Sequence, residues 1–363
     1  MKASLRVLMA PDYRGDNPYQ ALLSDALAQQ GVTVEFPQGY RRGLPLWRAL
    51  QGGKVPFDIL HLHWLDPYLK GETAAVKALY CLKFLLDVLL VRWQGAALVW
   101  TIHNEIPHEA RFPRLERWTR QALVRLAPAL VVHLPSHRDW LARQYGSAAD
   151  KAAVIPHGHY RLVYPAAVPQ AEARAALELP QTGLIYLNLG MLRPYKGIEP
   201  LLSAWEQVPA ERADATLLIA GKAQDPAYGQ QLVDCAAGMA GVQLREGFIP
   251  SERIHLYYSA ADVVVLPLQR ILISGSLILA MSYGKPIIAP RLPAATETLG
   301  SADWLLYHPD DGNGLYRVLA QSQQVDLEAL SQLVIQACDR LDWSSIGRQT
   351  YQLYCQCCHG AAR

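Results

Sequence analysis

Arg193 and Lys196 stand three residues apart in a loop that opens at Gly190 and closes at Gly197. An aliphatic run precedes that loop and a helical pattern follows it. Free N–H groups at a helix start attract anions, and a guanidinium and an ammonium beside them add charge-assisted bonds. The set suits a pyrophosphate; an ordinary strand-to-helix loop with two solvated cations is the plainer alternative. A second anion cradle is expected at Ser274, Gly275 and Ser276, small residues that open another helix and offer free amides. A helix cap without a ligand would use the same residues. Gly284 is placed to end that helix as a C′ glycine. Three polar clusters mark the first half: residues 12–19, 61–66 and 101–109. His61 and His63 alternate along an extended run and so face one side. They form either a metal pair or a packed, hydrogen-bonded pair, and no third ligand is evident.

The elements that must position these groups alternate along the chain. Short apolar runs at 5–9, 32–36, 58–64, 97–104, 129–134 and 152–156 read as strands with helical segments between them. The alternation restarts at 184–189, 215–221, 242–248, 262–267 and 286–290. Strand–helix alternation predicts right-handed crossovers and a parallel sheet, and strands apolar throughout predict helices on both faces. Residues 161–182 carry three prolines and no clean strand, which suits a linker with a short helix. The expected layout is an α/β chain with domains at 1–165 and 166–340 and a terminal helix at 341–363. Ligands of such sheets sit outside the carboxyl ends of the strands. The site is therefore expected in a cleft between two facing domains.

With these elements laid out, the chain resembles the GT-B glycosyltransferases, close to family 4, a group of bacterial polysaccharide and glycolipid enzymes. Residues 190–197 resemble the family's donor-phosphate loop, 218–221 its next strand and turn, and 280–289 its alanine-methionine and glycine-x-proline segment. The resemblance is strongest over 184–290. It implies two Rossmann-like doubly wound domains; the terminal helix, whose Trp343, Ile346, Tyr351 and Tyr354 recur at roughly helical spacing, either packs on the surface or crosses back onto the first domain. It also implies transfer of a hexose from a nucleoside-diphosphate sugar, GDP- or UDP-linked, to a lipid-linked saccharide, polyprenol-linked among the options. Neither a cofactor nor a metal is expected. The pattern Thr101-Ile102-His103-Asn104 resembles the one whose histidine approaches the donor sugar, which makes His103 a catalytic candidate. Arg14-Gly15-Asp16 resembles a loop of inverting relatives in which an aspartate acts as base. Asp16 is thus the expected base, with Glu105 and Asp12 in reserve; a helix N-cap before Pro18 is the other reading of Asp16. The chain departs from the family at two glutamates usually found eight positions apart, where it has Ile271 and Leu279. Arg270 and the amides of residues 274–276 are expected to take over part of that anchoring, with Glu297 as a candidate for the ribose. The departure weakens any expectation of a retaining mechanism.

Composition frames the partners. Net charge is +2, which argues against nucleic acid, yet residues 1–165 hold 20 Lys and Arg against 13 Asp and Glu, while 166–363 hold 14 against 19. A basic half suits an anionic lipid surface. Residues 73–93 form a very apolar helix whose Lys83 and Asp87 argue against a membrane span, leaving a core helix or a surface contact. Tyr40, Trp47, Trp118 and the arginines 41, 42, 48, 111, 114, 117 and 125 supply interfacial aromatics and positive charge in the same half. The expected location is cytoplasmic, peripheral on the inner face of the membrane. The chain start reads as a strand and loop rather than a signal peptide, and six cysteines suit a reducing compartment. Two rival functions use the same features: a sugar-nucleotide epimerase of similar fold, and a non-catalytic nucleotide-binding subunit.

Overall fold

The computed structural model describes residues 4–37, 43–51, 56–104, 111–208, 214–269 and 272–360. Chain contacts divide it into two units, one of Met1–Gly158 with Leu341–Arg363 and one of His159–Arg340.

In the first unit the aliphatic runs become β1 (Arg6–Ala10), β2 (Thr33–Glu35), β3 (Ile59–Leu62), β4 (Ala97–Thr101), β5 (Ala129–Val132) and β6 (Ala152–Val154). They pair in parallel in the order β2-β1-β3-β4-β5-β6. Every residue of β3, β4 and β5 is buried, as expected of strands covered on both faces. The connecting helices are α1 (Tyr19–Ala28), α2 (Pro45–Gln51), α3 (Ala74–Trp93), α4 (Pro113–Leu126) and α5 (Pro135–Tyr145). Asp87 is buried within α3 because it accepts from the Leu46 and Trp47 N–H groups at 2.9 and 2.8 Å. It thereby caps the orphan amides that open α2.

The second unit contains α6 (Gln170–Ala176), β7 (Ile185–Leu189), α7 (Ile198–Glu206), β8 (Thr216–Gly221), α8 (Pro226–Ala236), β9 (Val242–Glu246), α9 (Ile254–Ala260), β10 (Val263–Val265), α10 (Gly275–Ser282), β11 (Ile287–Pro290), α11 (Pro293–Leu299), β12 (Leu306–Tyr307), α12 (Gly314–Gln321) and α13 (Leu327–Asp339). Its sheet is ordered β12-β11-β10-β7-β8-β9. Counted from β7, this is the dinucleotide-fold order, reversing between β7 and β10. In the first unit the order reverses between β1 and β3.

The unit boundary falls at Gly158 rather than at 165. Residues 159–165 are tied to the second unit: Tyr160 N–H donates to Ser282 Oγ at 2.9 Å, and Tyr283 OH to the Pro165 carbonyl at 2.9 Å. Arg161 also pairs with Asp339. The last helix, α14 (Trp343–Gly360), belongs to the first unit and packs on α1. Its Trp343 ring lies 5.5 Å from that of Tyr19, and its Tyr354 hydroxyl bonds His61 Nδ1 at 2.7 Å.

Candidate functional site

In the second unit, the reversal between β7 and β10 marks the crevice at their carboxyl ends as the ligand position. Two glycines shape it. Gly190 leaves β7 at φ 139° and Gly197 turns the chain at φ 69° into α7. A Cβ on Gly197 would overlap the Pro267 carbonyl, so the loop between them is held against the segment after β10. Gln269 N–H donates to the Tyr195 carbonyl at 3.2 Å and ties the same two segments together. Lys196 Nζ lies 3.2 Å from Ser276 Oγ, which joins the basic loop to the start of α10. Ser274 caps that helix by accepting from Leu277 N–H at 3.1 Å. Burial, and then the charge of Arg193, bring the Lys196 ammonium down to about 8. Neither Arg193 nor Lys196 has a carboxylate partner among the described residues. Two close cations, one of them half-buried, favour an anion between them. Glu297 lies exposed on α11. Arg270 and Ile271 lie outside the described residues.

In the first unit, the parallel register gathers histidines from three strands. Leu62 pairs with Trp100 and Thr101 with Val131, which sets His63, His103 and His133 side by side just past the strand ends. His63 Nδ1 meets His103 Nε2 at 2.9 Å, His103 Nδ1 meets His133 Nε2 at 3.3 Å, and His133 Nδ1 meets the Ile155 carbonyl at 2.9 Å. The carbonyl can only accept, so His133 carries its proton on Nδ1 and its Nε2 accepts. Each neighbour follows in turn: His103 and His63 donate from Nδ1. Burial is the leading cause that pushes all three rings far toward the neutral form, His133 to about 3. Both ring nitrogens of His103 are thus committed, and its ring is a fixed, neutral surface rather than a proton shuttle. Tyr19, buried, packs its ring against those of His103 and His157 at 4.9 and 4.7 Å. Among the described residues, no group of three His, Cys, Asp or Glu is arranged to hold a metal ion. The paired His61 and His63 rings, 4.2 Å apart, are a packed pair.

Trp64 stacks on His103 at 4.3 Å, and Tyr13 packs on Trp64 at 5.3 Å. The loop after β1 therefore lies beside the histidines. Asp16 is exposed in that loop, in a turn where its N–H donates to the Tyr13 carbonyl at 3.0 Å. It is not a helix cap: Asn17 Oδ1 accepts the Tyr19 N–H instead. Asp12 is bound by both arms of Arg14 at 2.9 Å, which holds its carboxyl below the ordinary range. Glu105 lies outside the described residues.

Residues 6–159 match the family model described as Glycosyltransferase Family 4, and residues 183–322 the model described as Glycosyl transferases group 1. The chain is a GT-B glycosyltransferase, resembling family 4. Its curated relatives include a GDP-mannose:glycolipid 4-beta-D-mannosyltransferase of Xanthomonas campestris pv. campestris, 28% identical over 82% of this chain and 79% of the other. Among solved structures, Anabaena HepE in complex with UDP and glucose superposes with a TM-score of 0.72 at 17% identity, covering 96% and 98% of the two chains. A sucrose-phosphate synthase from Thermosynechococcus elongatus gives 0.71 at 22% identity over 97% and 98%. Both likenesses concern the fold.

The second unit thus brings together helix-start amides and two cations that have no carboxylate partner among the described residues. The first offers carboxylates and an aromatic-lined recess. One residue of that recess stands outside every motif of the sequence. Arg120 is 6% exposed, although the other arginines of α4 are exposed. The signal was its spacing: Thr119, Arg120, Leu123 and Val124 form the buried stripe of α4, at helical intervals.

Proposed function

We propose that this glycosyltransferase moves a hexose from a nucleoside-diphosphate sugar to a glycolipid acceptor in polysaccharide or glycolipid synthesis. The supporting observation is Lys196, half-buried, without a carboxylate partner among the described residues and joined to Ser276 beside Arg193. The diphosphate sits on the Gly190 to Gly197 loop and the amides that open α10, and Arg193 and Lys196 offset the charge released on the leaving group. His103 fixes the sugar by position alone. A carboxylate from the first unit takes the acceptor proton; Asp16 is assigned that role, with Glu105 in reserve, and the anomeric configuration inverts. Inversion suits a chain that lacks the family's paired glutamates. GDP-mannose is the first donor to try, after the name of the Xanthomonas relative. A fitting donor should raise the melting temperature by mass action, and K196A should abolish the rise. A wild-type protein that responds to neither GDP nor UDP, nor to their sugars, would overturn the assignment.

The acceptor is reached at a membrane surface. No helix among the described residues is long and apolar enough to cross a membrane. Instead α3 turns an apolar stripe outward: Leu79, Leu82, Leu86, Leu89 and Trp93 are 63%, 56%, 50%, 46% and 83% exposed. The adjacent α4 exposes Trp118 with Arg114, Arg117 and Arg125. An outward apolar stripe beside a basic helix face fits shallow insertion into anionic lipid. Arg41 and Arg42 lie outside the described residues. L82E/L86E should stop flotation with anionic liposomes while leaving donor-induced stabilisation intact. Unchanged flotation of that variant would remove α3 from the contact.

A further inference from the structure

We infer that the recess beside His103 is an oxyanion subsite for the acceptor, with Arg120 as the group that binds it. The inference deepens the acceptor reading above and rests on it. A small recess of about 30 Å³ is lined by Trp64, Asp66, Trp100, His103, Asn104 and Arg120, among others. Arg120 reaches it from the buried face of α4 and lies with its guanidinium 5.8 Å from the Trp100 ring centroid. One arm, Nη1, donates to the Asn104 carbonyl at 3.0 Å. Its Nε–H is buried and has no partner among the described residues.

Glu116 and Asp66 lie near enough to favour this cation's charge, but no carboxylate among the described residues forms an ion pair with it. Glu116, the acid of the same helix, is held by Lys77 at 2.6 Å. Asp66 is exposed at the rim and makes no ion pair with Arg120. A guanidinium does not shed its proton in proteins, so a buried, unpaired one is costly until an anion arrives. Nε and Nη2 share one edge of the group, the edge that meets two oxygens of a carboxylate or phosphate side by side. A water molecule could accept one such bond but would leave the charge uncompensated. A backbone acceptor already fixes Nη1, so the remaining edge is pre-oriented. The acceptor therefore carries an anionic group next to the reacting hydroxyl, either a phosphate linkage or a uronate carboxylate.

Methyl phosphate and methyl glucuronide serve as probes, titrated into wild type, K196A and R120Q. Binding at Arg120 should persist in K196A, whose donor site is disabled, and weaken at least tenfold in R120Q. The probe that binds names the source of the charge. R120K, which keeps the charge but loses the fork, should bind between the two, and D66N should bind more tightly than wild type. Should R120Q not fold, the wild-type Arg120 Nε–H resonance still reads the contact, since it must move on titration. An unmoved resonance, or equal binding by wild type and R120Q, overturns the proposal. Transfer by R120Q with an unaltered acceptor KM sinks this subsite while leaving the glycosyltransferase function standing. Probe binding at Arg120 in a protein that transfers no sugar does the reverse.

Discussion

Lys196 is subject to two opposed demands. Donor binding needs its charge, whereas burial and Arg193 work against that charge and bring its pKa to about 8. A base with a depressed pKa is less protonated in the folded chain than in the unfolded one. Its contribution to stability therefore rises as pH climbs from about 8 toward the ordinary 10.5. Donor affinity should move the other way: flat below pH 8, then falling by up to tenfold per pH unit once the ammonium titrates. Calorimetric titration of the nucleoside diphosphate from pH 7 to 9.5 reads this directly, and K196R should abolish the slope because a guanidinium stays charged. A flat wild-type profile would show that Lys196 does not touch the diphosphate. The pairing of loops behind this argument was legible in the sequence at Arg193, Lys196 and residues 274–276. The depth of Lys196 was not, because it depends on Ser276, 80 residues away along the chain.

At the scale of elements, α14 closes the first unit through a contact that tolerates no added atom. A Cβ on Gly158 would collide with the Trp343 indole, and one on Gly347 would come within 2.7 Å of the Ala26 carbonyl on α1. G158A should therefore cost the first unit about 1–3 kcal/mol through overpacking. G15A, where nothing lies within 4 Å, should leave the urea midpoint within experimental scatter. Equal midpoints for both variants would mean that α14 shifts freely. The helix itself was legible from its aromatic spacing, and most strands from their aliphatic runs. Two features were not. The strand β12 is two residues long, too short to show a period. The strands β3, β4 and β5 end two or three residues before their apolar runs do, at Leu62, Thr101 and Val132, each just ahead of a histidine of the cluster. Parallel register brings those histidines together, and register is a property of the sheet rather than of any one segment.

For the molecule as a whole, the histidine cluster makes one unit more sensitive to acid than the other. Burial holds His61 and His133 at about 3 and His157 at about 4, and drives His63 and His103 the same way. All five belong to the first unit. The unfolded chain takes up protons near 6.5 that the folded unit refuses, so stability is full above that pH and declines as pH falls through it. Each such histidine costs about 1 kcal/mol between pH 7 and 5.5. Five acting together remove a large share of a domain's ordinary stability of about 5–15 kcal/mol. Carboxylates add to acid loss in both units, but only below their own lower pKa values, so the window from 6.5 to 5.5 isolates the histidines. Urea unfolding across that window should separate into two transitions, the one for the first unit sliding to lower urea while the other holds. H157Q should flatten the slide by one histidine's share. Transitions that fall in parallel, or a slope untouched by H157Q, would mean that the buried rings take protons without opening the unit.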